Sequence, residues 1–245
     1  MKKFSFESNN PFLSEKKLNS VSSQAYGMDY ETTTVSGAIN KSFILFAILM
    51  ATSFVSYLMP SNLFLYLGMI GGFIAVLVSS FKPALSPYAA PIYAGLEGLF
   101  LGTISAIFAV EYDGIIFQAL TLTLGCLVTM LIIYKSGLVT VNEKFRAGVM
   151  MATGAIFLVY MVSFIGSFFG WNMPYLHEGG AIGIGISLVI IGVACLNLLL
   201  DFDLFEKAEE RNAPKYMEWF CAMSLMITLV WLYIEMLRLL SKLRD

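Results

Sequence analysis

The stretch NLLLDFDLFEKAEE, residues 197–210, begins with apolar residues typical of a membrane helix and ends with acidic residues. No loop-forming residue separates the two parts. Three consecutive leucines are followed at once by Asp201, and Asp203 comes two positions later. Two carboxylates at the end of an apolar helix mark either a boundary with water or a site inside the protein. The apolar runs and the other charged residues of the chain are needed to distinguish these two interpretations.

The composition is that of a membrane protein. Of the 245 residues, 58% are hydrophobic and only 13% are charged, whereas a soluble domain carries roughly 25% charged residues. So much apolar surface needs lipid as its solvent, so we expect an integral membrane protein with the lipid bilayer as a partner. The net charge of −2 argues against nucleic acid as a partner.

Seven apolar runs predict an all-α fold, a bundle of seven transmembrane helices. Each run is close to the roughly 20 residues that a membrane-spanning helix needs. The runs cover approximately residues 42–59, 63–81, 88–110, 114–134, 147–169, 181–200 and 217–240. We therefore predict a transmembrane domain over residues 42–245, preceded by a polar, mobile cytoplasmic tail over residues 1–41 without a signal peptide.

Lysine and arginine are concentrated on one side of this bundle. With the N-terminus placed inside, the inside segments carry the basic residues and the outside loops carry none. The positive-inside rule then predicts a cytoplasmic N-terminus. Seven crossings put the C-terminus outside, although Arg238, Lys242 and Arg244 lie in its last turns. The sequence leaves open whether the last helix crosses completely.

The residue types that usually bind metals or perform catalysis are few. The single histidine, His177, lies in a predicted loop, and Cys126, Cys195 and Cys221 form no metal-binding spacing. We therefore expect no zinc site, no other high-affinity metal site and no cofactor. Histidine-assisted Ser or Cys catalysis is equally unsupported, so we expect no enzymatic activity.

Glu97 is the first of three acids that the predicted spans place in or beside the membrane. It lies about ten residues into the third run, roughly 15 Å deep at the helical rise, among Gly95, Gly98 and Gly102. An acid at this depth cannot reach water by snorkelling, which favours a functional role. The alternative is a single structural hydrogen bond to a neighbouring helix.

Asp201 and Asp203 are separated by about 200° around a helix, so we expect only one of them to face inward. Asn197 shares the face of Asp201, which favours Asp201 as the inward site. Asp203 is then expected to face water at the helix end. In the alternative interpretation both acids are boundary residues beside Lys207 and Arg211.

Glu235 lies late in the seventh run and shares a helix face with Thr228 and Ser224. One interpretation is a local ion pair with Arg238, worth a few tenths of a kcal/mol. The other is a role in an ion path together with Asp201 and Glu97. Desolvation disfavours the charged form of a buried carboxylate, so such groups can bind protons near neutral pH. When charged, their oxygens suit Ca²⁺, and three separated acids favour transient passage over tight binding.

The stretches SPYAAPIYAGLEGLFLGTIS, LNLLLDFDLFE and APKYMEWFCAMSLMITLVWLYIEMLRLLSKL resemble the Bax-inhibitor (transmembrane Bax inhibitor motif) family in its bacterial branch. The resemblance runs from about Val35 to Arg244. It implies a seven-helix fold with the seventh helix central, a bacterial cytoplasmic (inner) membrane as location, and a pH-sensitive calcium leak.

The resemblance also implies a pH sensor made of two aspartates, one on the sixth helix and one on the seventh. The first corresponds to Asp201, but the second falls on Thr228, which cannot titrate. Glu235 and Glu97 are candidates to replace it. In some members of the family an arginine of the second helix binds this aspartate, but the second apolar run of this chain contains no charge. Lys82, Lys135 and Lys215 are candidate basic partners for Asp201 instead.

Two functions therefore compete. The first is a pH-sensitive leak channel or transporter for calcium ions or protons, gated by Asp201, Glu97, Glu235 and Asp203. The second is a non-conducting regulator that binds a membrane quality-control protease or another membrane protein. The polar N-terminal tail distinguishes the two functions, because a regulator would need it to bind a partner and a leak would not need it to conduct.

Overall fold

The computed structural model describes residues 31–170 and 180–244, which form seven long helices and no β-strand. The helices are α1 (Val35–Leu58), α2 (Asn62–Phe81), α3 (Ser86–Glu111), α4 (Ile115–Lys135), α5 (Glu143–Phe168), α6 (Ala181–Glu210) and α7 (Met217–Lys242), with a short 3-10 turn at Pro83–Leu85. All seven are long and apolar enough to cross a membrane. The predicted all-α fold is confirmed, and the chain is an integral membrane protein.

Two helix boundaries differ from the apolar runs. Helix α1 begins at Val35, before its apolar run, because Thr34 caps it by accepting a hydrogen bond from the Gly37 N–H group. Helix α6 continues through the acidic stretch to Glu210. The expectation that the two aspartates end this helix is therefore wrong. The predicted tail up to residue 30 and the loop with His177 lie outside the described residues.

Helix α7 is the centre of the bundle. It packs against α1, α3, α4 and α6, and 72% of its most apolar window is buried, compared with 6% for α5. A helix that is covered on all sides has no lipid-facing stripe. This explains how α7 can carry several polar residues and still lie within the membrane.

The ends of α7 define two ends of the bundle. Just before α7 begins, the Ala213 carbonyl accepts a hydrogen bond from the Thr33 N–H group, which lies just before α1. We call this side of the bundle the N-terminal end. At its finish, Lys242 contacts the first turns of α6, so we call this the C-terminal end. Helix α7 runs antiparallel to α6 over most of its length, and it is itself long and apolar enough to cross a membrane.

Helices α1 and α3 approach closely because small residues line their contact. A Cβ atom at Gly102 would overlap the backbone carbonyl group of Ser53. Beside this point, Ser56 Oγ donates a hydrogen bond to the Leu99 carbonyl at 2.6 Å. Small side chains and hydroxyl hydrogen bonds are the usual means of helix association in membranes.

We expect Gly102→Ala to destabilise the fold by about 1–3 kcal/mol, because the new methyl group must push two backbones apart. Gly125→Ala is the matched control, since nothing lies within 4 Å of its added Cβ atom. The control should be neutral or slightly stabilising, by up to about 1 kcal/mol. Unfolding of the detergent-solubilised variants measures both changes, and equal stability of the two would contradict the proposed close contact.

Candidate functional site

One face of α7 carries a row of polar side chains: Ser224, Thr228, Glu235 and Lys242. Their spacings of four, seven and seven residues keep them within about 40° of one another around the helix. The row extends over about 27 Å at the helical rise. Because the hydrocarbon core of a bilayer is roughly 30 Å thick, the row extends over most of that thickness.

Asp201 lies at the N-terminal end of this row and is buried against α7. Its carboxylate accepts hydrogen bonds from Ser224 Oγ at 2.5 Å and from Thr228 Oγ1 at 2.6 Å. The two hydroxyl groups therefore join α6 to α7 through a single carboxylate. We call Asp201, Ser224 and Thr228 the clasp.

The clasp has a different composition from the expected latch with a basic residue. Among the described residues, no basic side chain lies within 4.0 Å of the Asp201 carboxylate. Of the three candidate lysines, Lys215 instead pairs with Glu218 at 3.3 Å and with Glu31 at 3.7 Å.

Asp203 does not face water, and the prediction that it does is wrong. It is only 7% exposed. Its carboxylate forms an ion pair with Arg146 of α5 and another with Lys207, at 2.9 Å, on its own helix. Both aspartates are buried because α6 is covered on two sides: α7 receives Asp201, and α5 receives Asp203.

Asn197 lies one turn from Asp201 but binds in a different direction. Its side-chain amide donates hydrogen bonds to Thr153 Oγ1 of α5 at 2.7 Å and to the Val193 carbonyl at 2.9 Å. The predicted supporting residues are thus divided between two contacts. Ser224 and Thr228 belong to the clasp, whereas Asn197 joins α6 to α5.

Glu235 is 1% exposed and has two partners. The hydroxyl group of Tyr160, on α5, donates a hydrogen bond to the Glu235 carboxylate at 2.6 Å. The Arg238 guanidinium group donates another at 3.3 Å. The Arg238 guanidinium also lies over the Tyr160 ring, 5.1 Å from its centroid. The expected ion pair with Arg238 is therefore present, and it is part of a contact between α5 and α7.

Helix α5 makes three polar contacts with the rest of the bundle. Arg146, Thr153 and Tyr160 follow one another at seven-residue intervals and bind Asp203, Asn197 and Glu235, respectively. Between α5 and α7 lies a cavity of about 300 Å³, whose lining includes Thr153, Tyr160, Trp231, Glu235 and Arg238. Together with the α7 row and its α6 partners, these groups form a column of polar residues that we call the polar column.

Glu97 is not part of the polar column. Its carboxylate packs against Gly72 of α2, where an added Cβ atom would lie 2.6 Å from Glu97 Oε1. Its Oε2 atom is buried without a hydrogen-bond partner among the described residues. Helix α2 packs mainly against α3, so Glu97 lies at a peripheral helix contact and is not the partner of Asp201.

The sequence analysis did not predict a role for several residues of the site. Lys242 is 7% exposed at the C-terminal end of the row, and Glu218 is fully buried at the start of α7. Glu218 accepts hydrogen bonds from the backbone N–H and the hydroxyl group of Thr34, where the positive end of the α1 dipole favours a carboxylate. The seven-residue spacing from Glu235 to Lys242 could have revealed the lysine. Nothing in the sequence indicates the partner of Glu218.

The described residues contain no group of three or more His, Cys, Asp and Glu side chains that could hold a metal ion. The carboxylates of the polar column are separated from one another and are each bound by hydroxyl or basic groups. These separated carboxylates therefore do not form the cluster of oxygen ligands that tight binding of one ion needs.

Comparison with known proteins identifies one family. A sequence model described as Bax inhibitor 1 like matches residues 10–245, nearly the whole chain. A search of curated proteins finds no match.

We expect Arg146→Gln to lower the free energy of unfolding by about 1–3 kcal/mol, because a charge-assisted hydrogen bond to Asp203 is lost while Lys207 still pairs with it. Lys144→Gln is the matched control, since Lys144 is exposed and forms no ion pair among the described residues. Unfolding in detergent compares the two variants. An Arg146→Gln protein as stable as the control would show that this ion pair does not hold α5.

Proposed function

The chain belongs to the Bax inhibitor 1 like family, and on that premise we propose that it is a pH-sensitive leak for calcium ions or protons. The observation that carries the proposal is the polar column, which follows the central helix over about 27 Å at the helical rise. Ionisable groups inside a membrane protein are costly, and such groups usually mark paths for ions or protons.

The gate in this proposal is the clasp. When Asp201 is ionised, its hydrogen bonds from Ser224 and Thr228 are charge-assisted, and such bonds are roughly twice as strong as neutral ones. Protonation of Asp201 removes this charge and weakens the contact between α6 and α7. The leak should therefore be small at high pH and should increase as the pH falls.

The path continues from the clasp toward Asn197 and then Glu235 at the contact between α5 and α7. Each carboxylate on this path is bound by one or two partners that a passing cation or proton can replace. A tight calcium site needs about six to eight oxygen ligands, which these separated acids do not provide. We therefore propose weak, transient binding and no enzymatic reaction.

The orientation follows from charge. Lys41, Lys82, Lys135, Lys207 and Lys215 lie at or near the N-terminal end of the bundle. By the positive-inside rule we propose that this end is cytoplasmic. The clasp then lies near the cytoplasmic face of a bacterial inner membrane and responds to cytoplasmic pH.

The test is ion flux into liposomes that contain the purified protein, measured between about pH 6 and 8. We expect calcium or proton entry to be faster at pH 6 than at pH 8. Asp201→Asn should conduct at the higher rate at both values, because the neutral amide cannot form the charge-assisted clasp. Glu97→Gln is the matched control, a membrane-embedded acid outside the polar column, and should keep the wild-type pH response.

Two results would contradict this proposal. If the folded, inserted protein gives no flux above that of empty liposomes, the chain is not a leak. If Glu97→Gln removes the pH response and Asp201→Asn keeps it, the gate lies at the contact between α2 and α3 instead of the clasp.

A second candidate function, a non-conducting regulator, is favoured by the contact at the start of α1. The segment before this helix binds the turn between α6 and α7, through Thr33 N–H to the Ala213 carbonyl and Lys215 N–H to the Glu31 carbonyl. Residue 31, where the described part of the chain begins, therefore lies beside this turn. In this second proposal, residues 1–30 bind a membrane protease or another membrane protein.

Deletion of residues 1–30 distinguishes the two candidates. A leak should keep its liposome flux and its pH response, because the clasp lies entirely within α6 and α7. A regulator should show no flux in either form, and the deletion should abolish its cellular effect. A deletion that removes an existing flux would contradict both expectations.

A further inference from the structure

We propose that a groove between α1 and α4 binds one membrane phospholipid whose headgroup carries both a phosphate and a primary ammonium group, as in phosphatidylethanolamine. The groove lies on a different face of α7 from the polar column. The inference does not depend on the proposed leak, because none of the residues that line the groove belongs to the clasp.

The groove exists because two helices pack against α7 without closing over it. Helices α1 and α4 both contact α7 but hardly touch each other. The space between them contains two cavities, of about 230 and 290 Å³. Phe46 of α1, Leu124 of α4, and Met226 and Leu229 of α7 line both cavities. The two cavities therefore belong to one groove whose floor is the central helix.

The larger cavity is apolar and open to the lipid. At its rim, Phe43 is 69% exposed and Leu131 is 39% exposed, whereas Leu225 and Met226 on its floor are buried. If such a cleft were empty, its lining atoms would lose the contacts that a packed neighbour provides. Lipid chains surround a membrane-spanning helix on every open side, so an acyl chain is the apolar occupant that this cleft meets.

The length of the larger cavity fits an acyl chain of one leaflet. Its lining extends along α4 from Leu124 to Lys135, which is roughly 17 Å at the helical rise. One leaflet contributes half of the hydrocarbon core, or about 15 Å. A chain in this cavity thus places its headgroup beside Lys135, at the N-terminal end of the bundle.

The charges at this end of the cavity are complementary to a headgroup with two opposite charges. Lys135 is exposed in the last turn of α4 and forms no ion pair among the described residues. The Glu206 carboxylate also lines the cavity and is positioned by the Tyr134 hydroxyl group, which donates a hydrogen bond to it at 2.6 Å. The ammonium group of Lys135 can bind a phosphate, and the carboxylate can bind a primary ammonium group.

This pair of charges also disfavours two common alternatives. Phosphatidylglycerol has a phosphate but no cation, so Glu206 repels its headgroup. Phosphatidylcholine has a cation, but its quaternary nitrogen carries no N–H group that could donate a hydrogen bond to the carboxylate. The groove should therefore select phosphatidylethanolamine by its headgroup after the acyl chain has entered the apolar part.

The experiment is native mass spectrometry of the full chain, incubated in detergent with phosphatidylethanolamine, phosphatidylglycerol or phosphatidylcholine of identical acyl chains. We expect phosphatidylethanolamine to bind at least roughly threefold more tightly than either of the others. Leu124→Trp places an indole group in the groove and should lower this binding at least roughly tenfold. Leu122→Trp is the matched control, because both leucines are 43% exposed on α4 but Leu122 does not line the groove.

Two charge variants test the headgroup site and decide the matter if Leu124→Trp does not fold. Glu206→Gln keeps an acceptor for Tyr134 and removes the charge, so the preference over phosphatidylglycerol should fall to within about twofold. Lys135→Gln should weaken phosphatidylethanolamine and phosphatidylglycerol alike, since both carry a phosphate. Glu210→Gln and Lys82→Gln are the matched controls, because these two exposed residues do not line the groove.

Four results would overturn the proposal. The first is equal binding of the three lipids, and the second is an equal loss of binding in Leu122→Trp and Leu124→Trp. The third is stronger lipid binding after deletion of residues 1–30, which would make that segment the occupant of the groove. The fourth is a dimer that Leu124→Trp abolishes and Leu122→Trp keeps, which would make a second copy of the chain the occupant. Failure of the liposome flux would contradict only the leak, since lipid binding is measured without any flux.

Discussion

Inside a membrane, a polar side chain must find its partner within the protein, because lipid offers no hydrogen bonds. This constraint organises α5, α6 and α7. Asp201 and Lys242 add polar contacts to the extensive packing of α6 on α7, whereas Glu235 binds Tyr160 of α5, a helix that has little other packing against α7. Helix α5 shows the effect most clearly, since it is the least buried of the seven and three of its polar residues bind the neighbouring helices.

The same contacts that stabilise the bundle also make it responsive. An apolar contact between two helices does not change with pH, whereas a contact through a carboxylate changes when a proton or a cation binds. In the clasp, the two hydroxyl donors lie on α7 and the acceptor lies on α6. Loss of charge at Asp201 therefore acts on the contact between two helices and not merely on one side chain. The clasp is therefore the contact on which the proposed gate depends.

The helices could be predicted from the sequence because hydropathy and length are sufficient to identify a membrane span. The direction in which each acid points could not be predicted, because it depends on which neighbours cover the helix. Asp203 was expected in water and is buried, since α5 supplies Arg146 on that side of α6. Glu97 lies within its span, but its carboxylate faces Gly72 of α2. Periodicity gives the angle between residues of one helix and says nothing about what lies opposite them.

At the position where the resemblance implies a second aspartate, this chain has Thr228. Two facing carboxylates would share a proton, and their titrations would be coupled. A threonine hydroxyl instead donates to Asp201 at 2.6 Å, so the clasp has one titrating group and two neutral donors. Its response to pH should then follow the binding of a single proton and should not show two separate steps. A chain that keeps the acceptor and replaces the second acid by a donor retains a contact between the same two helices, and in the proposed leak this contact gives a simpler dependence on pH.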